Sequence, residues 1–315
     1  MKNIIVTGGA GFIGSNLIKE LLKESNNRIF VFDNLSTGRL ENLPFNNQNC
    51  QFFKIDLLSN FSDWPCINNL DYIFHFSANA DVRGGINDRE VDLKQNVLVT
   101  KSVCDYARAN NCKHLVFASS AAVYGEPDTF PTSEVSVTKQ TSIYGASKLA
   151  SEAFIQAYSE YEDFQSSIFR FVSWIGEGYS HGVIYDFYKK LKSNNKCLQI
   201  LGDGTQRKSF LDVSDGINGI MSLLKHKSKS EIFNLGHFEI MSVKDLADIV
   251  CESLELKNVE YQFTGSKRGW IGDSPLVHLD ISKAKSYGWE PKTSIKKGIK
   301  NTIDYLNQDI KNLYR

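Results

Sequence analysis

The feature that most constrains the fold is a glycine-rich turn near the start of the chain, TGGAGFIGS at residues 7–15, directly after the strand-like run IIVT. Glycine inside a helix or strand costs roughly 0.5–1 kcal/mol relative to alanine, so packing alone does not account for four glycines among nine residues. Gly8, Gly11 and Gly14 have the GxxGxxG spacing, between a predicted strand and a helix predicted to begin near Phe12. This arrangement lets backbone amides approach a pyrophosphate at a helix N-terminus, and it predicts a dinucleotide-binding site.

An acidic residue at the end of the second predicted strand supports this prediction. Asp33 ends RIFVFD, nineteen residues after Gly14. A carboxylate there can accept hydrogen bonds from both ribose hydroxyls of adenosine and repels a 2′-phosphate, which favours NAD over NADP. The alternative is an aspartate that only caps a turn. Asp56, at the end of QFFKID, is placed to meet the adenine edge, although a solvated loop aspartate explains it equally well.

The order of apolar runs predicts the fold class. Short runs alternate with helical patterns up to about Phe171, as expected for a Rossmann-type, doubly wound α/β fold with a parallel sheet. Loop-rich segments follow, and GINGIMSLLKH with EIFNLG again reads as helix and strand. We therefore predict an NAD-binding domain in residues 1–172 with a return segment at about 212–236. A smaller C-terminal α/β substrate-binding lobe is predicted from residues 173–211 and 237–315.

Composition disfavours several classes of partner. Lysine plus arginine and aspartate plus glutamate number 36 each, and no run of like charge stands out, so nucleic acid is not an expected partner. The first residues lack the features of a secretion signal, and no segment approaches 18 apolar residues, so a cytoplasmic protein without membrane association is expected. Six cysteines without CxxC pairing, and no histidine at finger spacing, predict neither a metal site nor a disulfide.

Candidate catalytic residues lie in two further segments. SIYGASKLASE places Tyr144 and Lys148 four residues apart, on one face of a predicted helix. A lysine ammonium near a phenol lowers the pKa of the phenol, which suits general acid/base catalysis. An incidental helix pair is the alternative, and the upstream glycine motif disfavours it. Ser119 and Ser120 end a predicted buried strand at the edge where open α/β sheets bind ligands, and a hydroxyl there can bond the reacting oxygen.

With these motifs, the chain resembles the extended short-chain dehydrogenases/reductases, and among them the nucleotide-sugar epimerases and dehydratases. The likeness is closest to the short UDP-glucose 4-epimerase-like proteins. It covers essentially the whole chain, in IIVTGGAGFIGSNL, VFDNLSTG, FHFSANADVR, FASSAAVYGE, YGASK, GDGTQRKSF, RGWIGD and SKAKSYGWEP. The resemblance implies bound NAD, a UDP-linked nucleotide sugar as substrate, and a homodimer.

The resemblance also implies roles for individual residues. Tyr144 matches the catalytic base, Lys148 the lysine that holds the nicotinamide ribose and tunes the tyrosine, and Ser120 the residue that contacts the sugar hydroxyl. Besides Tyr144 and Lys148, the implied cofactor-binding residues are Gly8, Gly11, Phe12, Ile13, Gly14, Asp33, Asn34, Asp56, Leu57, Phe76, Ser77, Ala78 and Asn96. The implied substrate-binding residues are Ser120, Ser173, Gly182, Val183, Arg207, Lys208, Arg268 and Asp273.

Several positions depart from the family pattern. Ala121 and Ala122 stand where 4,6-dehydratases carry an Asp-Glu pair, and decarboxylating relatives keep a glutamate at the second position, which argues against both chemistries by the ordinary route. Ser173 replaces a common asparagine and suggests a modified sugar that carries a carboxylate or an N-acetyl group.

The basic residues of the predicted substrate site also differ from the family pattern. Lys208 replaces a phosphate-binding arginine and follows Arg207, and either of the two is a candidate for the diphosphate contact. Two inserted residues, Trp270 and Ile271, widen the spacing between Arg268 and Asp273.

The leading interpretation is an epimerase that inverts C4 of a UDP-linked hexose through a transient 4-keto sugar. One alternative is an atypical UDP-sugar dehydratase, for example across C5 and C6. Another is a non-catalytic NAD-sensing protein, which the presence of both Tyr144 and Lys148 disfavours. The expected dimer would use the predicted helices 92–110 and 142–161, with Leu149, Ala153 and Ala157 as an apolar stripe; a stripe that faces the sheet is the alternative.

Overall fold

The computed structural model describes residues 1–226 and 228–313, with side chains to residue 308. Its longer strands in the first half are β1 (Lys2–Thr7), β2 (Asn27–Asp33), β3 (Cys50–Lys54), β4 (Leu70–His75), β5 (His114–Ser120) and β6 (Gln165–Phe171). The strands that follow are β7 (Ser173–Ile175), β8 (Cys197–Ile200), β9 (Arg207–Lys208), β10 (Phe210–Asp212), β11 (Ser230–Leu235), β12 (Met241–Ser242), β13 (Glu260–Phe263) and β14 (Leu276–Val277). The α-helices are α1 (Phe12–Leu21), α2 (Gly84–Asn87), α3 (Val99–Ala109), α4 (Ile143–Tyr161), α5 (Val183–Ser193), α6 (Val213–Leu223), α7 (Val243–Ser253), α8 (Ser282–Ser286) and α9 (Ile295–Leu313).

Seven of these strands form one parallel sheet, in the order β11-β6-β5-β4-β1-β2-β3. Strand order reverses between β1 and β4, and a doubly wound sheet binds ligands in the crevice at the carboxyl ends of the strands beside such a point. The Rossmann-type fold predicted from the sequence is therefore confirmed.

Two apolar cores cover the two faces of the sheet. Alternate residues of β1 point in opposite directions, so Ile4 and Val6 join one core and Ile5 joins the other. Helices α1 and α6 pack together, as do α3 and α4. Because both faces of β4 and β5 are covered, their sequences are apolar nearly throughout, as the sequence indicated.

The second half of the chain forms smaller sheets and then returns to the large one. β10 pairs with β7, β9 pairs with β12 and β14, and β13 pairs with β8. The expected return segment contains α6 and β11, and β11 pairs in parallel with β6 at the edge of the seven-stranded sheet. The domain boundaries themselves remain a prediction. None of the helices in the described part of the chain is long and apolar enough to cross a membrane.

Candidate active site

The glycine turn lies between β1 and α1, and its conformation requires glycine. Gly8 has φ +67°, and a Cβ at this position would lie 2.7 Å from the backbone nitrogen of Ser77. A Cβ at Gly14 would lie 2.4 Å from the carbonyl oxygen of Gly8. Gly11 is the N-cap of α1 and has no side chain to cap the helix. The first-turn N–H groups, which include those of Phe12 and Ile13, can therefore donate to an anion such as a pyrophosphate.

Asp33 lies at the end of β2 and is buried. Its Oδ2 accepts a hydrogen bond from Ala10 N at 3.0 Å, and its Oδ1 accepts one from Leu35 N at 2.8 Å. The carboxylate therefore fixes the glycine turn, which agrees with the alternative in which Asp33 caps a turn. Each oxygen has a second lone pair with which to accept a ribose hydroxyl, so the structural role and the predicted cofactor role are compatible.

We expect Asp33→Asn to weaken NAD binding, because the amide has only one acceptor oxygen for the two backbone N–H groups that Asp33 holds, one of them in the glycine turn. It should also relax discrimination against NADP, because the charge that repels a 2′-phosphate is removed. The ratio of the two dissociation constants, measured by calorimetry, checks this. Asp56→Asn, at an exposed position after β3, is the matched control and should leave the ratio unchanged. An unchanged ratio in Asp33→Asn would remove Asp33 from the ribose site.

The segment after β4 packs against the glycine turn. Phe76 N donates to Thr7 O, and Ser77 N donates to Thr7 Oγ1, both at 3.2 Å. Ala78 follows, and Asn34 continues from β2 with its Oδ1 bonded to Ser36 N. The fold therefore brings the predicted cofactor residues of β1, β2 and β4 to one edge of the sheet.

Two other groups of predicted cofactor residues come from neighbouring elements. Asp56 and Leu57 follow β3, where Asp56 is exposed and Leu57 is buried. Asn96 lies in a π-helical segment at residues 93–98 that continues directly into α3. Its Nδ2 donates to Ser147 Oγ at 2.8 Å, which ties this segment to α4. Such π-helical segments are frequent at functional sites.

The three predicted catalytic side chains meet at the carboxyl edge of β5. Ser120 is the last residue of β5, and its hydroxyl lies near enough to the phenol of Tyr144 to lower the pKa of that phenol. Lys148 Nζ lies 6.0 Å from the centroid of the Tyr144 ring and donates to Ala118 O at 2.9 Å. Ser142 caps α4 by accepting from Gly145 N, which sets the start of the helix and thereby the position of Tyr144.

Burial dominates the electrostatics of this set. Desolvation raises the pKa of Tyr144 to about 12, although the nearby Ser120 hydroxyl lowers it in part. Desolvation also lowers the pKa of Lys148 to about 8, against the opposing effects of the Glu152 and Asp92 carboxylates. The pKa of Tyr144 is therefore raised in this structure, and not lowered as expected beside Lys148, because burial of the phenolate has the largest effect. A phenolate here therefore needs a further positive charge at the same edge of the sheet.

A buried ion pair behind the catalytic set was missed by the sequence analysis. Glu152 accepts two bonds from Arg170, from Nε at 3.0 Å and from Nη2 at 2.7 Å, and both side chains are almost fully buried. Ser119 Oγ also donates to Glu152. Ser119 is thus committed to this pair, and Ser120 is the hydroxyl that faces Tyr144. The spacing of Glu152, four residues after Lys148, was the one available sequence signal.

The predicted diphosphate residues form a second charged group, on the C-terminal half of the chain. Lys208 Nζ donates to Asp273 Oδ1 at 2.7 Å, and Arg268 Nη1 donates to Asp273 O at 2.7 Å. Arg268 also forms an ion pair with Glu126. Arg207 is exposed, and consecutive strand residues point to opposite faces, so Lys208 shares this region with Arg268 and Arg207 points away.

The loop that carries Arg268 and Asp273 touches both catalytic segments. Ser274 Oγ donates to Gly125 O at 2.7 Å, a few residues after Ser120 in the chain. Thr141 Oγ1 donates to Gly272 O at 3.3 Å, just before α4 begins. Within the insertion, Trp270 is half-buried and Ile271 is exposed. The loop therefore holds the substrate-side cations against the elements that carry Ser120 and Tyr144.

The remaining predicted substrate residues lie further along the chain. Ser173 is exposed at the first residue of β7. Gly182 has φ +101° as the N-cap of α5, and Val183 is the first residue of that helix. A Cβ at Gly182 would lie 2.3 Å from the hydroxyl of Tyr179, so a side chain there would disturb the helix start.

The fold and the Ser–Tyr–Lys set together define a dinucleotide-dependent enzyme. A model of the NAD dependent epimerase/dehydratase family matches residues 4–236. The chain is 32% identical to a putative UDP-glucose 4-epimerase from Methanocaldococcus jannaschii over 97% of this chain and 99% of the relative. It is 31% identical to a dTDP-D-glucose 4,6-dehydratase from Mus musculus over 99% of this chain and 90% of that one.

A solved structure gives the same result. The UDP-glucuronic acid 4-epimerase from Bacillus cereus, in complex with UDP-glucuronic acid and NAD, superposes with a TM-score of 0.89 at 27% identity, covering 97% of this chain and 99% of that one. The chain belongs to the NAD-dependent epimerase/dehydratase family. Family membership confirms the predictions of an enzyme and of NAD as its cofactor, and the glycine turn and Asp33 fit that cofactor.

Proposed function

We propose that the protein is an epimerase that inverts C4 of a UDP-linked hexose. The observation that carries the proposal is the Ser120–Tyr144–Lys148 set with alanine at both positions that follow Ser120. Elimination of water from a sugar needs an added acid and base, and neither Ala121 nor Ala122 can donate or accept a proton. The set is sufficient for oxidation and reduction at one carbon. The named C4-epimerases among the relatives and solved structures support the same reaction.

Each catalytic side chain has a distinct task in this reaction. Tyr144 Oη takes the proton from the C4 hydroxyl and later returns one, while the Ser120 hydroxyl orients the C4 oxygen. Lys148 contributes its positive charge next to the phenol and orients the cofactor. NAD, when bound by the glycine turn and Asp33, supplies the reversible hydride acceptor and a positive ring at this edge of the sheet. A positive charge on the bound cofactor would favour ionisation of the buried phenol of Tyr144.

Inversion also requires that the sugar turn over while the nucleotide stays bound. Lys208 and Arg268 are held near each other by Asp273 and offer two cations to a diphosphate. A substrate anchored there can rotate about its diphosphate linkage and present either face of C4 to Tyr144. Ser173 has a small side chain at the start of β7, which leaves room for a carboxylate or an N-acetyl substituent.

Incubation with a panel of UDP-sugars, followed by NMR and mass spectrometry, tests the function. The panel should include UDP-glucose, UDP-glucuronic acid and UDP-N-acetylglucosamine. Epimerisation gives a C4 epimer of unchanged mass. A product lighter by one water would replace this proposal with dehydration, and loss of carbon dioxide would replace it with decarboxylation.

Arg268→Ala is expected to weaken UDP binding by roughly 10-fold to 100-fold, because a charge-assisted hydrogen bond contributes about 1.5–3 kcal/mol. Arg207→Ala is the matched control and should change the affinity less than about threefold, because Arg207 lies on the other face of β9. Calorimetric titration with UDP measures both. If Arg207→Ala loses more affinity for UDP than Arg268→Ala, then Arg207 and not Arg268 contacts the diphosphate.

We also propose that the protein is a homodimer that uses α3 and α4. Within the stripe, Ala153 and Ala157 are exposed, whereas Leu149 is half-buried and packs against one of the apolar cores; nearby Phe154 is 41% exposed. An exposed apolar surface of this kind is typical of an interface. Light scattering at micromolar concentration should give the mass of two chains. Phe154→Glu should shift that mass toward one chain, and a monomeric wild-type protein would contradict the proposal.

A further inference from the structure

Asp92, just before the π-helical segment, is a buried carboxylate to which the sequence analysis gave no role. Its side chain is fully buried. Oδ1 accepts hydrogen bonds from Asn79 Nδ2 at 2.8 Å and from Asn96 Nδ2 at 3.3 Å. Oδ2 is buried without a hydrogen-bond partner in the described part of the chain, against Gly85, where a Cβ would approach within 2.7 Å. An unpaired buried carboxylate oxygen is costly, so packing alone does not account for this residue.

The hydrogen bonds of Asp92 lead to the catalytic helix. Asn96 Oδ1 accepts from Asn79 N at 2.8 Å, so the two asparagines and Asp92 form one cluster. Asn96 Nδ2 donates to Ser147 Oγ, and Ser147 Oγ in turn donates to the carbonyl oxygen of Tyr144, both at 2.8 Å. Asp92 therefore fixes the side chain of Asn96, and through Asn96 it connects the segment after β4 with the first turn of α4.

The charge of Asp92 also acts on the catalytic side chains. The pKa of Asp92 is raised, mainly because the side chain is buried. The bond from Asn79 and the charge of Lys148 offset part of this rise, and the charges of Asp81 and Asp88 add to it. On the side of α4, the negative charge of Asp92 raises the pKa of both Tyr144 and Lys148. Lys148 also interacts with Glu152 and with His75; His75 is buried, and its pKa is lowered to about 3, so it is neutral.

We propose that Asp92 is a positioning residue that acts on the catalytic pair in two ways. Through Asn79 and Asn96 it holds the cofactor-facing segments in place, and through its negative charge it keeps Lys148 in the ammonium form. The proposal rests on the function proposed above, in which Tyr144 exchanges the proton and Lys148 carries a positive charge.

Asp92→Asn separates charge from shape, because the amide has the same size and keeps an oxygen that accepts from Asn79 and Asn96. Without the negative charge, both the phenolate of Tyr144 and the neutral amine of Lys148 form at lower pH. Both limbs of the pH profile of kcat should therefore move down by roughly one unit, the effect of a single charge at an effective dielectric constant near 20. A residue with only a structural role would lower the height of the profile and leave its limbs in place, and that result would overturn the proposal.

Asp88→Asn is the matched control, since it removes the same charge at an exposed position four residues earlier. The two limbs of the pH profile of kcat should lie at the same pH in this variant as in the wild type. Asn79→Ala tests the positioning role, because it removes a hydrogen bond to Asp92 and keeps the charge of Asp92. The NAD⁺ affinity should fall roughly 3-fold to 10-fold, the effect of one lost hydrogen bond, while the limbs of the pH profile stay in place. If the NAD⁺ affinity of Asn79→Ala is unchanged, the positioning role of Asp92 is wrong. This test does not require that the Asp92→Asn variant folds.

A measurement without substrate separates this proposal from the proposed function. The ultraviolet absorbance of phenolate is followed against pH in the NAD⁺ complex, and the curve of the Tyr144→Phe variant is subtracted to isolate Tyr144. The same subtraction on the Asp92→Asn background should show ionisation at lower pH. An unshifted curve overturns the proposal for Asp92 whatever the substrate is. A shifted curve in a protein whose Tyr144→Phe variant stays active would support it and reject the proposed role of Tyr144.

Discussion

Tyr144→Phe is expected to lower turnover by more than 100-fold and to leave UDP binding intact. A general acid/base group contributes roughly 100-fold to 10,000-fold, and the proposed cycle uses this phenol twice, once to remove a proton at C4 and once to return it. The substitution keeps the ring, whose centroid is 6.0 Å from Lys148 Nζ, and removes only the phenol oxygen near Ser120. Lys208 and Arg268 are unchanged, so the affinity for UDP should stay within about threefold of wild type.

Tyr161→Phe is the matched control for this prediction. It makes the same chemical change on the same helix, at a side chain that is 84% exposed. Its turnover should equal that of the wild type. If Tyr144→Phe retains more than about a tenth of wild-type turnover, a loss smaller than one such group normally causes, the base lies elsewhere and the proposed mechanism is wrong.

The sequence was sufficient for the parts of the site that follow from local chain order. The glycine turn needs its residues within a few positions of one another, and in the structure a Cβ at Gly14 would clash with the carbonyl oxygen of Gly8. Tyr144 and Lys148 share a helix face because of their spacing, and the carboxyl end of β5 carries Ser120 because parallel strands all end at one edge. Each of these predictions depends on one element or one rule of sheet topology.

Contacts between distant segments were not predictable in this way. Lys208 and Asp273 meet only because β9 and the loop before β14 pack together, so the choice between Arg207 and Lys208 stayed open in the sequence. The pKa of Tyr144 depends on how deeply α4 is buried, which spacing does not determine. The long-range pairings formed by Glu152 and Asp92 required the packed structure for the same reason.

Glu152 and Arg170 give the largest expected effect on stability. Arg170 donates both Nε and Nη2 to Glu152, and its Nη1 donates to Tyr124 Oη at 2.9 Å. These bonds hold the guanidinium in the interior beside β6, and bonding to the carboxylate raises the pKa of Arg170, so it stays charged. A buried guanidinium whose countercharge is removed keeps its desolvation penalty and loses the attraction that offset it.

Glu152→Gln is therefore expected to destabilise the protein by about 3–5 kcal/mol, the usual effect of breaking a buried ion pair from one side. Glu252→Gln is the matched control: it makes the same change in the Lys296–Glu252 pair, whose side chains are 63% and 64% exposed, and it should cost less than about 1 kcal/mol. Urea denaturation of the two variants measures the difference. A double variant, Glu152→Leu with Arg170→Met, should recover much of the loss, because neither charge of this pair then remains buried without the other. Equal costs for Glu152→Gln and Glu252→Gln would mean that water reaches the Arg170 guanidinium and that the pair does not stabilise the interior behind the catalytic set.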